Sequence, residues 1–231
     1  AIRCSPGMTP TPPNLADRPL ARASNGPLAV SLAGLALRNP VILAAGTAGT
    51  LSEIADIFDL SRVGAIVTKS ITAEPREGNA TWRIIPTQHG MLNAIGLANV
   101  GIEAFTRDYG PKVASVPTTV IGSISEFSVE GFVKVASAFE KIDALAAVEL
   151  NVSCPNVSHV CEFGSDVHLL GELVREVRKV LPSKRLFVKL SPVVMGFPGV
   201  VAIARAAIEP PSSTPSGPAQ RPGADAICLA N

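Results

Sequence analysis

Six short, mostly apolar runs recur along the chain, and they constrain its fold more than any other feature. They lie at 41–46, 65–71, 118–124, 147–153, 186–191 and 226–230. Runs that are apolar throughout, rather than alternating with polar residues, are typical of parallel strands buried on both faces. Between them lie helical patterns, the clearest at 166–181, where leucine and valine recur with the 3.6-residue period. This alternation predicts an α/β fold with a parallel sheet.

Weaker helical patterns occupy the other gaps between the runs, at 52–58, 102–109, 129–140 and 199–208. The sixth run ends with the last residues of the 231-residue sequence. An open, doubly wound sheet of six strands and an incomplete eight-stranded barrel both agree with this pattern. The runs alone therefore leave two architectures open.

Composition narrows the class of protein. The formal net charge is +1 and aromatic residues make up 4% of the chain, which argues against a nucleic-acid-binding surface. No stretch of about 20 mainly apolar residues predicts a membrane span, and the amino terminus lacks the apolar region of a secretory signal. Four cysteines are too few for a disulfide framework in a chain of this length, so we expect thiols and a cytoplasmic protein.

Proline is concentrated in two segments. Residues 1–27 and 210–222 together hold 11 of the 20 prolines. Such segments are typical of irregular or extended chain. We therefore predict a flexible tail at 1–27, followed by one domain over 28–231 that carries a proline-rich insertion at 210–222.

Polar residues gather where the predicted strands end. Active sites in parallel α/β folds lie at the carboxyl ends of the strands. Here those ends carry two lysines, several asparagines and a cysteine: Lys69, Ser70, Asn151, Cys154, Asn156, Lys189 and Asn231. Taken singly, a lysine is usually a solvated charge and a cysteine a small buried hydrophobe. Their convergence on one edge predicts an active site, in which Cys154 is a nucleophile or a general base.

Metal and phosphate motifs are lacking in the sequence. No cluster of histidine and carboxylate residues with metal-ligand spacing is present, and neither glycine-rich phosphate signature occurs. We therefore expect no metal site.

Two segments resemble a known family. The segment at 150–156, LNVSCPN, resembles a loop of the class 1 dihydroorotate dehydrogenases, and the segment at 90–99, GMLNAIGLAN, resembles their orotate-binding loop. The residues of the second segment resemble those of the NAD-linked bacterial subclass. Lys69 and Ser70, Lys189 and the Gly-Ala-Asp triplet at 223–225 follow in the family's order.

The resemblance implies an FMN-dependent (β/α)8 TIM barrel, of which about six of the eight βα units are present. It implies oxidation of (S)-dihydroorotate to orotate in de novo pyrimidine (UMP) biosynthesis. Cys154 would be the base that takes the C5 proton, while the C6 hydride passes to FMN. The loop at 155–166 would close over the substrate.

The resemblance also implies the contacts of each ligand. The substrate would contact Lys69, Met91, Asn93, Gly96, Leu97, Asn151, Asn156 and Asn231. FMN would contact Ala45, Gly46, Lys69, Ser70, Thr119, Asn151, Lys189 and Ala230. Two of these positions depart from the family pattern, since Ala45 stands where serine is common and Thr119 where asparagine is usual.

Partners follow from the same resemblance. The NAD-linked subclass works with an iron–sulfur and FAD electron-transfer subunit that passes electrons to NAD, around a homodimeric catalytic core. Two alternatives stay open. One is a related FMN barrel that acts on other dihydropyrimidines. The other is a non-catalytic remnant, because strands seven and eight, whose loops hold the flavin phosphate, are missing from the sequence.

Overall fold

A six-stranded parallel sheet forms the centre of the molecule. The computed structural model describes residues 26–153, 163–191, 198–210 and 223–229. The strands within these ranges are β1 (Val30–Leu32), β2 (Leu35–Leu37), β3 (Ile42–Leu43), β4 (Ala65–Val67), β5 (Ile84–Thr87), β6 (Gly90–Asn93), β7 (Thr119–Ile124), β8 (Ala147–Asn151), β9 (Arg185–Leu190) and β10 (Ala226–Leu229). The predicted tail and almost all of the predicted proline-rich insertion lie outside the described residues.

Helices connect the strands of this sheet. They are α1 (Gly101–Ala104), α2 (Val129–Glu140), α3 (Val167–Val180) and α4 (Val200–Ile208). The chain continues from α1 as a π-helix over Phe105–Tyr109 and a 3-10 helix over Gly110–Ser115. Two further 3-10 turns, Glu53–Asp56 and Leu60–Arg62, lie between β3 and β4.

The order of the strands distinguishes between the two architectures that the apolar runs left open, and it agrees with the barrel that the resemblance implied. The sheet runs β3, β4, β7, β8, β9, β10, with every neighbouring pair parallel. A doubly wound sheet reverses its order at an internal point, whereas a barrel adds each strand on the same side. The unbroken order gives a TIM-barrel-like fold.

The two faces of the sheet have separate cores. On the outer face, Ile66, Val120 and Val148 of the strands pack in one cluster with Phe132 of α2 and Leu173 of α3. On the inner face, the neighbouring strand residues form a second cluster with the amino-terminal hairpin: Leu37, Ala65, Val67, Ile121, Ala147 and Phe187. Helices therefore cover one face, as right-handed crossovers in a barrel require.

The β1–β2 hairpin was not predicted from the sequence. Its two turn residues, Ala33 and Gly34, have φ angles of 50° and 82°, as a two-residue type I′ turn requires. The turn reaches β9, since a Cβ atom at Gly34 would lie 2.9 Å from Nη2 of Arg185. Three-residue strands and an alanine in the left-handed region give little sequence signal. The hairpin packs its leucines on the inner face, near the amino ends of the strands.

Most predicted elements are confirmed, with shifted ends. The helix predicted at 166–181 is α3, and Asp166 caps it by accepting hydrogen bonds from the backbone of His168 and Leu169. The runs at 41–46 and 65–71 contain only the short strands Ile42–Leu43 and Ala65–Val67. The helix predicted at 52–58 is a short 3-10 turn. None of the described helices is long and apolar enough to cross a membrane.

A buried ion pair joins α3 to the start of β10. Nη2 of Arg178 donates to Oδ2 of Asp225 over 2.7 Å and to the Gly223 carbonyl over 2.9 Å. The same carboxylate oxygen accepts from the backbone N–H of Leu186 at 2.8 Å. The side chains of Arg178 and Asp225 are 8% and 3% exposed. The Gly-Ala-Asp triplet thus holds β10 against β9 and α3.

Replacing Arg178 by methionine tests the contribution of this ion pair to stability. Loss of the guanidinium leaves the buried Asp225 carboxylate without its closest cation, so the free energy of unfolding should fall by about 3–5 kcal/mol in urea denaturation. Lys179→Met is the matched control, since its pair with Glu176 is 64% and 38% exposed. That control should cost less than about 1 kcal/mol. Equal losses of unfolding free energy in the two variants would contradict a stabilising role for the buried ion pair.

The cap of α3 should make stability depend on pH. Hydrogen bonds from the backbone N–H groups of Leu169 and His168 lower the pKa of Asp166. A depressed carboxyl pKa stabilises the fold above the unfolded value of about 3.9, and this contribution is lost as pH falls through the lower folded value. Asp166→Ala should cost about 1 kcal/mol at pH 7 and progressively less towards pH 3, measured by urea unfolding. Glu172→Ala, an exposed change on the same helix, should show no such decrease in its effect on the unfolding free energy as the pH falls.

Candidate functional site

Buried polar side chains collect at the carboxyl ends of the central strands. Seven such residues are at most 7% exposed: Thr68, Ser70, Ser123, Glu149, Asn151, Ser153 and Lys189. Buried polar groups are costly unless they are hydrogen-bonded, and the strand bodies below them are apolar. The arrangement at this edge therefore indicates a functional site rather than a core.

Strand register brings these side chains to the inner face. Ser123 of β7 lies opposite Glu149 of β8, and Asn151 of β8 lies opposite Lys189 of β9. Side chains alternate along a strand, so Glu149 and Asn151 share the face of the inner-cluster residue Ala147. Lys189 shares the face of Phe187 for the same reason. The polar set therefore continues the inner apolar cluster towards the carboxyl edge.

A continuous chain of hydrogen bonds crosses three strand ends. Nδ2 of Asn151 donates to Oγ of Ser70 over 3.0 Å, and that hydroxyl lies 3.0 Å from Oγ of Ser123. The Ser123 hydroxyl donates to Oε1 of Glu149 over 3.3 Å. Thr68 anchors the chain, since its Oγ1 accepts from the Ser123 backbone N–H at 2.9 Å. The network links an amide, two hydroxyls and a carboxyl group.

The contacts of Ser153 define the orientation of the Asn151 amide. The backbone N–H of Ser153 donates to Oδ1 of Asn151 at 3.2 Å, and the Ser153 hydroxyl donates to the same atom at 2.7 Å. A backbone N–H can only donate, so the atom facing Ser153 is the amide oxygen. Ser70 takes one of the two amide hydrogens, which leaves the other for an acceptor on a ligand.

Glu149 and Lys189 set the charge of the site. Burial raises the pKa of the Glu149 carboxyl, and the attraction of Lys189 and the Ser123 hydrogen bond oppose that rise. Glu149 is 4% and Lys189 7% exposed, so their attraction acts with little screening by water. On the inner face, Glu149 thus lies level with Phe187, and Lys189 lies one layer above it.

Lys69 lies against the backbone of the loop that follows β3. Its backbone N–H donates to the Thr50 carbonyl at 3.1 Å. A Cβ atom at Gly46 would lie 3.2 Å from Cδ and 3.5 Å from Nζ of Lys69. Gly46 also has a φ of 78°, which glycine adopts at no steric cost. Ala45, beside it, is half-buried against the inner cluster.

The predicted orotate-binding loop at 90–99 belongs to the long segment between β4 and α1. The two ends of that segment lie side by side. Oδ1 of Asn99 accepts from the backbone N–H of Thr72 at 3.1 Å and of Gly101 at 2.9 Å, which holds the two ends together. The β5–β6 hairpin lies between them. Met91 and Asn93 are exposed on β6, and Gly96 and Leu97 follow with φ angles of 73° and 58°.

The remaining candidates differ in their location. Thr119 is the first residue of β7 and pairs with Ala65, so it lies at the amino edge of the sheet, opposite Lys69 and Asn151. The structure does not bring it to the site, and we leave it out. Cys154, Asn156, Ala230 and Asn231 lie outside the described residues.

Sequence reasoning gave no role to Ser123 or Glu149. Both were visible as polar residues at strand ends, and a glutamate two residues before Asn151 in an apolar run was the available signal. Within the described ranges, no group of three or more histidine, cysteine and carboxylate side chains could hold a metal ion.

The sheet order and the inner polar edge describe a TIM-barrel-like enzyme, and comparison with known proteins narrows this class. The family model for dihydroorotate dehydrogenase matches residues 27–208. The chain therefore belongs to the dihydroorotate dehydrogenase family.

Curated relatives agree on the family. A protein of Pelobacter propionicus named dihydroorotate dehydrogenase B (NAD(+)), catalytic subunit, is 42% identical over 205 residues, which cover 88% of this chain and 62% of that protein. A protein of the same name from Parabacteroides distasonis is 45% identical over 71% of this chain and 54% of its own. An Aquifex aeolicus protein, provisionally named dihydroorotate dehydrogenase A (fumarate), is also 45% identical over 71% of this chain. The chain thus spans less than two thirds of these relatives.

A solved structure agrees on the fold. The crystal structure of the dihydroorotate dehydrogenase of Eimeria tenella, in complex with ferulenol, superposes with a TM-score of 0.64. It is 18% identical to this chain, and the match covers 76% of this chain and 55% of that one.

Gly46→Ala tests the contact between the β3 loop and Lys69. The added methyl group meets the lysine side chain, and the left-handed backbone is unfavourable for alanine. Unfolding free energy should fall by about 1–2 kcal/mol in urea denaturation. Gly26→Ala is the control, because nothing lies within 4 Å of its Cβ position. A loss in the control as large as that at Gly46 would contradict the interpretation.

Proposed function

We propose that this chain is part of the catalytic subunit of an FMN-dependent dihydroorotate dehydrogenase, which oxidises (S)-dihydroorotate to orotate in de novo pyrimidine biosynthesis. Membership of the family supports the reaction. The observation that carries the proposal for this chain is the convergence of Lys69, Asn151 and Lys189 at one edge of the sheet, with the buried Ser70 hydroxyl between the strands.

The residues present fit a flavin ring. The ring offers carbonyl oxygens and ring nitrogens to hydrogen bonds, and the Lys189 ammonium supplies donors of the right kind, while Ser70 and Asn151 would lie against the ring. Lys69 and Lys189 add positive charge, which favours negative charge on a reduced ring. Gly46 lacks a side chain beside Lys69, so a flat ring can approach the backbone closely. When bound, FMN supplies the hydride acceptor.

The substrate would be recognised through its planar amide ring and its carboxylate. Asn151 presents an N–H to an acceptor, and we propose the same use for the amides of Asn93, Asn156 and Asn231. Backbone N–H groups of Met91, Gly96 and Leu97, together with the Lys69 ammonium, would complete the contacts. The positive φ angles of Gly96 and Leu97 turn this backbone sharply after β6.

Cys154 would remove the C5 proton of the substrate. It directly follows Ser153, which the Asn151 network holds at the carboxyl edge. A thiolate can accept a carbon-bound proton that is acidified by a neighbouring carbonyl, provided that it lies within reach. The segment at 155–166 would close over the ring and exclude water.

The wider assembly is proposed on the same basis. The barrel would have eight βα units, of which this chain carries about six, and the rest would hold the flavin phosphate. We propose a cytoplasmic homodimer that passes electrons through an iron–sulfur and FAD subunit to NAD. The wording of the 90–99 segment favours this NAD-linked type, although a relative named for fumarate is equally similar.

Anaerobic visible spectroscopy tests the function. FMN bound to the purified chain should lose its visible absorption when dihydroorotate is added, because the ring accepts the hydride. Cys154→Ala should retain FMN but slow this reduction by about 10²–10⁴-fold, since it lacks the base. Cys4→Ser, in the amino-terminal segment, should reduce at the unchanged rate.

Two outcomes would contradict the proposal. Bleaching by dihydrouracil but not by dihydroorotate would indicate a different dihydropyrimidine as substrate. Absence of bound FMN would mean that this chain alone is not a functional catalytic unit.

A further inference from the structure

Glu149 is a buried acid to which the proposed reaction gives no role. It is 4% exposed, on the inner face of β8, in the row that also contains Ser123 and Phe187. A carboxyl group is costly to bury, and an apolar residue would fill this position at lower cost. On this face, Phe187 beside Glu149 and Ala147 below it are both apolar. The presence of a carboxyl group here therefore indicates that neighbouring polar groups interact with it.

The charged partner lies on the neighbouring strand. Glu149 pairs in register with Phe187, so Lys189 lies two residues further along β9 on the same face. The attraction of Lys189 acts on the Glu149 carboxyl, and Lys189 itself is 7% exposed. A buried ammonium is costly unless a negative group nearby offsets its desolvation.

The other partner is the hydroxyl chain. The Ser123 hydroxyl donates to Oε1 of Glu149, and an ionised carboxylate at this position can only accept. The Ser123 oxygen is then available to accept from Ser70, and the Ser70 oxygen accepts from Nδ2 of Asn151. An ionised Glu149 thus gives every donor in the chain one direction. It also supports the amide orientation that Ser153 imposes from the other side.

We propose that Glu149 is a positioning residue that serves both halves of this site. Its carboxylate holds the Lys189 ammonium on the inner face and, through Ser123 and Ser70, keeps the Asn151 amide with an N–H towards the ligand. Assigning these two contacts to flavin and substrate rests on the proposed function. The coupling among the chain's own residues does not.

The coupling is measured first, on the full chain without added ligand. In protein labelled with ¹³C at the glutamate side-chain carboxyl, the Glu149 signal is the one lost in Glu149→Gln. Its pKa should rise further in Lys189→Met, which removes the attraction, and in the milder Ser123→Ala, which removes the hydrogen bond. Lys189→Arg should restore a pKa near that of the unaltered chain, because the charge is kept. Lys179→Met, far along α3, is the control and should leave the signal unchanged.

Ligand binding is measured second. In Glu149→Gln, the dissociation constants of FMN and of orotate should each rise by about tenfold or more, because both a charge and the direction of the hydroxyl chain are lost. Glu140→Gln is the matched control. It makes the same chemical change at a glutamate whose carboxyl accepts from the Ser183 backbone at 3.2 Å, on the outer side of the sheet.

The outcomes separate the two proposals. An unchanged Glu149 pKa in both Lys189→Met and Ser123→Ala overturns the positioning role, whether or not FMN binds. Equal affinities in Glu149→Gln and Glu140→Gln overturn it as well. If the pKa shifts are observed but the unaltered chain takes up no FMN, the positioning role stands and the proposed function of this chain fails.

Discussion

Alternation of side chains along parallel strands in a singly wound sheet is the constraint on which this structure depends. Because the strands follow one another in chain order, the helices that the structure describes lie on the outer face, and every second strand residue faces inwards. Near the amino ends these inward residues are apolar and packed by the β1–β2 hairpin. Near the carboxyl ends they become Ser123, Glu149, Asn151 and Lys189. A single geometric rule thus places a core and a polar site on the same face.

Two sets of buried ionisable side chains, Arg178 with Asp225 and Glu149 with Lys189, have different roles. Arg178 and Asp225 lie where a helix meets the start of β10, and their hydrogen bonds to backbone groups join three elements. Glu149 and Lys189 lie at the opposite end of the strands, linked to side chains rather than to backbone. In the first pair, Nη2 of Arg178 and the Asp225 carboxylate bind each other and backbone groups of the fold. The second pair is linked to the Asn151 amide, which has an N–H available for a ligand. We therefore assign this second pair to function.

Much of the site could be predicted because its residues follow strands in short, recognisable segments. Lys69, Asn151 and Lys189 each end an apolar run, and the fold brings all three to one edge. Glu149 was missed because its role depends on Lys189, which is 40 positions away in the sequence and reaches it only through the register of β8 and β9. Thr119 shows the opposite case. The run at 118–124 already placed it at the amino end of a strand, and only the family resemblance assigned it to a site at the carboxyl ends.

The sequence by itself determined the alternation of strands and helices, the apolar stripe of α3 and the segments that mark the family. These depend on local periodicity and on short-range hydrogen bonds, which neighbouring residues control. The run pattern left an open sheet and a barrel both possible, and the family segments implied the barrel. Only the tertiary structure showed the strand order, revealed the β1–β2 hairpin beneath the inner face, and joined Ser70, Ser123 and Glu149 in one network. Strand order and register arise from contacts between residues distant in the chain, and no local pattern encodes them.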